Sequence, residues 1–152
     1  HTRGVSAVHV PPAAFLRSQI DACFADFRIG AVKLGMLAST EIIDAVADAL
    51  EHWAPPQIVL DPVMVATSGA KLLEDSALDA LRTRLLPLAS VLTPNIPEAE
   101  LLLGRKIGAD SADAALTALL ALGARAVFAK PVDLDGYVSL AKDLNSLMPA
   151  RD

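Results

Sequence analysis

Cysteine, tryptophan and tyrosine each occur once in the 152 residues, and histidine three times. A lone Cys23 excludes an internal disulfide, and its setting in a helical pattern predicts a small buried hydrophobe. His1, His9 and His52 have no metal-ligand spacing, which argues against a histidine-based metal site. The eight glycines are scattered. They form neither a Walker loop nor the G-x-G-x-x-G fingerprint, so the common glycine-rich phosphate turns are absent. Positive charge is also scarce. Thirteen Lys and Arg against 18 Asp and Glu give a net charge of −5, which leaves nucleic-acid binding without an electrostatic basis. No apolar run approaches the roughly 18–20 residues of a membrane span, and no signal-peptide core follows the first residues. These absences predict a cytoplasmic location and partners other than nucleic acids or membranes.

What is present is apolar and aliphatic. Hydrophobic residues make up 53% of the chain and charged residues 20%, with a mean hydropathy of +0.45. That balance excludes a disordered chain, which needs low hydrophobicity and high net charge. The apolar content comes from Ala, Leu and Val, including 28 alanines, while only six residues are aromatic. Such a composition fits helices on a parallel sheet better than a β-sandwich.

Periodicity places the elements. Phe15, Leu16, Ile20, Cys23, Phe24 and Phe27 mark a helix over 13–27 behind Pro11-Pro12. Residues 31–34 read as a strand ending at Gly35. Ser39 or Thr40 caps a helix whose face is Ile42, Ile43, Val46, Leu50 and Trp53. Ile58 to Leu60 is a strand ending on Asp61, and residues 62–74 read as a loop, with Ser68-Gly69 as a candidate lid. A helix over about 76–86 stops before Pro87. Ser90 to Thr93 is a strand, and Asn95 opens a helix that Gly104 ends. Asp110 or Ser111 caps another helix to about Leu122, stopped by Gly123. Ala126 to Ala129 is a fourth strand. Leu134, Val138, Ala141, Leu144 and Leu147 define a last helix. Four strands alternating with helices predict an α/β fold: a mainly parallel sheet layered with helices on both faces.

In such sheets chemistry sits beyond the C-terminal strand ends. Three of those ends carry polar groups: Asp61, the Asn95/Glu98 pair and Lys130. Two carboxylates, an amide and an ammonium suit Mg²⁺, which takes one or two carboxylates plus waters and phosphate oxygens, and a polyphosphate, whose transfer needs positive charge. Each residue also has a structural role available. Asp61 can be a turn residue, and Lys130 a solvated strand end. Asn95-Ile96-Pro97-Glu98 is a capping-box sequence. Met36 after Gly35 can be core.

At these residues the sequence resembles the bacterial hydroxymethylpyrimidine/phosphomethylpyrimidine kinases of the ribokinase-like superfamily. The stretches are Thr2-Arg3-Gly4-Val5, Val32 to Leu37 (Val-Lys-Leu-Gly-Met-Leu), Val59 to Met64 (Val-Leu-Asp-Pro-Val-Met), Leu85-Leu86-Pro87 and, most specifically, Leu92 to Glu100 (Leu-Thr-Pro-Asn-Ile-Pro-Glu-Ala-Glu). The resemblance runs over about residues 1–130. It implies a three-layer αβα ribokinase-like fold and ATP- and Mg²⁺-dependent phosphorylation of a pyrimidine alcohol and then its monophosphate, in thiamine biosynthesis. It implies that Asp61, Asn95, Glu98 and Lys130 attend the nucleotide and metal, with Asp61 and Glu98 on Mg²⁺, and that Met36 and Val63 lie near the pyrimidine.

The sequence departs from the family in ways that set further expectations. Family members begin with a strand and a glycine-rich pyrimidine-binding segment, and they carry a Gly-Thr-Gly-Cys anion-hole loop downstream. Neither occurs here. Thr67 stands where a Lys is common. The expectation is one partial domain over 1–152, kinase-like to residue 130 and divergent over 131–152, with no catalytic residue assigned and no activity alone. Ala126 to Tyr137 resembles the end of a response-regulator receiver domain, so a receiver-like or non-catalytic binding module is the alternative. The acid pair a receiver needs is missing. An incomplete sheet exposes edges and apolar faces, which predicts a homo-oligomer.

Overall fold

The computed structural model describes residues 7–64, 72–108 and 111–130. Four short strands, β1 (Val32–Leu34), β2 (Ile58–Leu60), β3 (Val91–Leu92) and β4 (Ala126–Val127), pair in parallel in the order β1-β2-β3-β4. The parallel α/β fold is therefore the one expected. Chain order equals spatial order, and each helical connection carries the chain to the adjacent strand. Register places Lys33, Val59, Val91 and Ala126 in one row across the sheet, with Leu34, Leu60, Leu92 and Val127 in the next. Strand side chains alternate between faces. Leu34, Ile58, Leu60 and Leu92 are accordingly buried, whereas no member of the Lys33 row is.

The helices arise where the apolar stripes demand them. α1 spans Ala13–Asp26 and α2 spans Thr40–Trp53. Ser39 caps α2, its Oγ accepting from the Ile42 N–H at 3.4 Å. The stripe of α2 buries Ile42, Ile43, Val46, Ala47, Ala49 and Leu50. Each large aliphatic side chain so buried contributes roughly 1.5–3 kcal/mol. All of these except Ala49 join the strand leucines and Ala77, Leu81, Leu85, Leu86, Ala99, Leu102 and Leu119 in one core. α3 (Asp75–Ala80) runs into a π-helical turn (Leu81–Leu85) and a 3-10 turn (Leu86–Leu88). The helical path thus continues past Pro87 rather than stopping before it. The tighter final turn tolerates the proline, which stands at its start.

α4 (Ile96–Leu103) ends at Gly104 in the left-handed conformation, φ 66°, and α5 (Ala112–Leu120) follows. At Gly123, φ is 120° and an added Cβ would lie 3.1 Å from the Pro87 Cα. Close packing of two connections therefore requires glycine there. Ser111 holds the N-cap position of α5, yet its Oγ bonds Gly108 instead of the helix.

α1 corrects one expectation. It packs on α2 but buries none of its residues, and Cys23 is exposed. Phe15 and Phe27 are exposed as well. α1 lies beside β1, and among the described residues no strand pairs the outer edge of β1. Ala13, Leu16 and Ile20 are only partly buried against the core, and polar and aromatic contacts add to its attachment. Phe24 stacks on Trp53 at 5.4 Å. The Trp53 indole N–H donates to Asp21 Oδ1 at 2.7 Å, and Arg17 donates to the same carboxylate. Among the described residues no helix is long and apolar enough to cross a membrane. The expected last helix, the Ser68-Gly69 lid and the boundary at residue 131 lie outside the described residues.

Candidate functional site

The strand ends converge on Asp61. Its N–H donates to the Leu34 carbonyl at 2.9 Å, continuing the β1–β2 ladder, and its carbonyl accepts from Val63 N–H at 2.8 Å, turning the chain away. One strand further, the Thr93 N–H donates to Leu60 at 2.9 Å, and beyond it the Lys130 N–H donates to Pro94 at 2.7 Å. Three consecutive strand ends are thus held by backbone bonds, and the polar side chains arrive together.

Lys130 is the hub. Its Nζ lies 2.5 Å from Asp61 Oδ1 and 3.5 Å from Glu98 Oε2. A single cation therefore contacts both carboxylates. Partial burial opposes the ammonium charge. The hydrogen bond to Asp61 and the attraction of Glu98 and Asp61 outweigh it and hold the Lys130 pKa above the ordinary lysine value. Glu98 is the most enclosed member, its side chain 6% exposed. It sits in the first turn of α4, where the helix dipole favours an anion.

Asn95 and Glu98 form a full capping box. Asn95 Oδ1 accepts from the Glu98 N–H at 2.8 Å, and Glu98 Oε2 accepts from the Asn95 N–H at 2.8 Å. The Asn95 side chain is committed to the helix end, while Glu98 both closes the cap and faces Lys130. Asp61, Glu98 and Lys130 are brought together directly, and Asn95 is joined to them through Glu98. Met36 is exposed and lines a cavity at the β1 edge. Val63 is half-buried, two residues beyond Asp61, and does not line that cavity.

Sequence reasoning missed Lys33. Its Nζ lies 3.3 Å from Asp61 Oδ2, so each oxygen of Asp61 faces its own ammonium. The cavity beside it has a volume of about 630 Å³ and is walled largely by apolar residues of α1, β1 and α2, among them Leu16, Ile20, Phe24 and Val46. This cavity therefore does not enclose the carboxylates. It adjoins them through Lys33 and Met36.

The donor set fits Mg²⁺ and phosphate. Hard carboxylate oxygens with room for waters and phosphate oxygens match the ion's preference. Among the described residues no group of three or more His, Cys, Asp or Glu forms a metal cage. A cage is not what an ion shared with a polyphosphate uses. Two ammoniums beside two carboxylates also supply charge for phosphate oxygens once a metal takes the carboxylates.

The sequence pattern of the phosphomethylpyrimidine kinase family matches residues 1–148. The hydroxymethylpyrimidine/phosphomethylpyrimidine kinase of Rhizobium meliloti is 46% identical over 138 residues, covering 90% of this chain and 52% of that protein. The crystal structure of phosphomethylpyrimidine kinase from Clostridium difficile 630 superposes with a TM-score of 0.79 at 40% identity, over 89% of this chain and 59% of that one. The pyridoxal kinase from Staphylococcus aureus in complex with ADP gives a TM-score of 0.69 at 31% identity, over 80% and 44%. The chain spans about half or less of the length of the curated relatives it matches.

Proposed function

The chain belongs to the phosphomethylpyrimidine kinase family, and on that premise we propose that Asp61, Glu98 and Lys130 are its Mg²⁺-polyphosphate site. The reaction served is ATP-dependent phosphorylation of hydroxymethylpyrimidine and its monophosphate, for thiamine biosynthesis in the cytoplasm. The observation that carries the reading is the double contact of Lys130 with Asp61 and Glu98 at the C-terminal end of a parallel sheet. A structural ion pair needs one carboxylate. Two carboxylates converging on one partly buried ammonium form a pair of hard oxygen donors that a divalent cation can share.

In this reading Asp61 and Glu98 would hold Mg²⁺, which when bound neutralises and orients phosphate oxygens. Lys130 would be the donor to those phosphate oxygens. The capping box fixes Glu98 in advance, because its cap bond leaves it little freedom to reorient. Asn95 acts as a positioning residue through that box. Met36 and Val63 are the candidates nearest the pyrimidine. No catalytic group is assigned. Among the described residues, the unpaired outer edge of β1 and the exposed Phe15 and Phe27 favour a homo-oligomer.

The test is calorimetric titration of the 152-residue chain with Mg-ATP. Saturable binding weaker than about 1 μM is expected, abolished by Asp61→Asn and by chelation of Mg²⁺. Binding indifferent to both removes the assignment.

A further inference from the structure

Asp61 meets its two ammoniums on different oxygens. Lys130 Nζ contacts Oδ1 and also reaches Glu98 Oε2, so it stands between the two carboxylates. Lys33 Nζ donates to Oδ2 at 3.3 Å. Among the described residues it pairs with no other carboxylate. The register brings it there. Lys33 pairs with Val59, and Asp61 lies two residues further along the chain on the same side of the sheet. The Lys33 side chain is 65% exposed, against 19% for Lys130. Burial therefore does not hold it in place, and the metal–phosphate assignment leaves it without a role.

We propose that Lys33 is a positioning residue that covers Asp61 Oδ2 and so sets which divalent cation the site accepts, Mg²⁺ in preference to Ca²⁺. This rests on the Mg²⁺-polyphosphate reading above and deepens it. The side of Asp61 that faces Glu98 is the Oδ1 side, where Lys130 bridges the two carboxylates. A cation shared by both residues uses that side. With Oδ2 held by Lys33, Asp61 offers the cation one oxygen. Mg²⁺ loses nothing by this, because it is small, demands near-ideal octahedral geometry and keeps several of its waters. Ca²⁺ is larger, takes more oxygen ligands and uses carboxylates with one or both oxygens. Lys33 thus withholds a ligand from Ca²⁺ that Mg²⁺ does not need. Its charge repels the two ions alike, since both are divalent. The discrimination comes from the covered oxygen, and because the contact is long and exposed its size is modest.

Calorimetric titration of the 152-residue chain with Mg-ATP and, separately, with Ca-ATP tests this through the ratio of the two affinities. The unsubstituted chain should favour Mg-ATP, and Lys33→Met should shift the ratio toward Ca-ATP by about threefold or more. Any contact of Lys33 with phosphate oxygens is lost from both complexes and cancels in the ratio. Lys33→Arg can still donate to Oδ2 and should keep the preference for Mg-ATP. Equal affinities in the unsubstituted chain, a ratio unchanged in Lys33→Met, or a ratio that Lys33→Arg shifts as far as Lys33→Met overturns the inference and leaves the Mg²⁺-polyphosphate reading standing. If the unsubstituted chain shows no saturable Mg-ATP binding, or binding indifferent to Asp61→Asn, that reading fails and the inference with it. Circular dichroism of each variant confirms folding. Lys33→Ala decides if Lys33→Met does not fold.

Discussion

Glu98 closes a helix cap and faces a lysine, and the two duties can be separated. Glu98→Gln keeps the shape, and a glutamine carbonyl can still accept from the Asn95 N–H, since Gln serves in capping boxes as Glu does. What disappears is the negative charge at the N-terminus of α4 and its pull on Lys130 at 3.5 Å. The dipole term is worth about 0.3–1 kcal/mol. The Lys130 term is small because Asp61 remains on the ammonium at 2.5 Å. A total near 1 kcal/mol follows. Asn95→Ala does the converse. It removes the side chain that accepts from the Glu98 N–H, at about 1 kcal/mol, and leaves both carboxylates. The variants should therefore lose similar stability, roughly 2–4 °C in Tm each for a domain of this size. Their Mg-ATP affinities should part, Glu98→Gln falling about tenfold or more and Asn95→Ala by about threefold at most. Thermal unfolding by circular dichroism and calorimetric titration give both numbers. If affinity falls in both variants in step with stability, Glu98 is a structural cap and the metal assignment is wrong.

Three other outcomes are expected. The Lys130 pKa is raised in the folded state, so its stabilising contribution is fully present below the unfolded lysine value of about 10.4 and is lost as pH rises through the folded value. Urea unfolding of the unsubstituted chain and of Lys130→Met should thus differ at pH 7 and converge at strongly alkaline pH, and a gap that widens there contradicts the ion-pair account. The hydrogen bond from Trp53, then that from Arg17, lowers the Asp21 pKa, so the contact persists at ordinary carboxylate pKa values and is lost only as pH falls through the depressed one. Fluorescence of the single tryptophan should report that loss below pH ~4, and Asp21→Asn should remove the transition; a transition unchanged by Asp21→Asn refutes the assignment. Finally, residues 1–152 contain no Gly-Thr-Gly-Cys loop, and loss of one anion-hole donor alone can cost about 10²–10³ in rate. A coupled ADP-release assay on this polypeptide should therefore show no turnover near 1 s⁻¹, the low end of ordinary enzymes at about 1–10³ s⁻¹.

Some features of the fold were legible because they are local. Asn95 and Glu98 sit at the spacing a capping box demands, and the box is there. Of the two candidates Ser39 and Thr40, Ser39 caps α2, and Ile42, Ile43, Val46 and Leu50 of its expected stripe are buried, whereas Trp53 at its end is only half-buried. The strand ends at Asp61 and Thr93 follow from Pro62 and Pro94 closing apolar runs. Cys23 failed for a non-local reason. A helical period shows which residues share a face, and it does not show whether anything lies against that face. α1 has α2 for a neighbour and an open sheet edge below it, so its stripe meets a cavity.

Lys33 shows the same limit at the site. In the sequence it is one lysine in an apolar strand, and alternation says only that it opposes Leu34. Its meaning depends on which strand pairs with β1 and in which register. Had β2 been shifted by one residue, Asp61 would have faced the other side of the sheet. The observed register pairs Lys33 with Val59, two residues before Asp61, on the same side. That spacing along a strand is about 7 Å, a distance an extended lysine stem spans. Asp61 therefore meets two ammoniums, one beside the α4 N-terminus and one beside the cavity. The strand ends bring the carboxylates and Lys130 together, while the pairing register decides that a second lysine reaches Asp61.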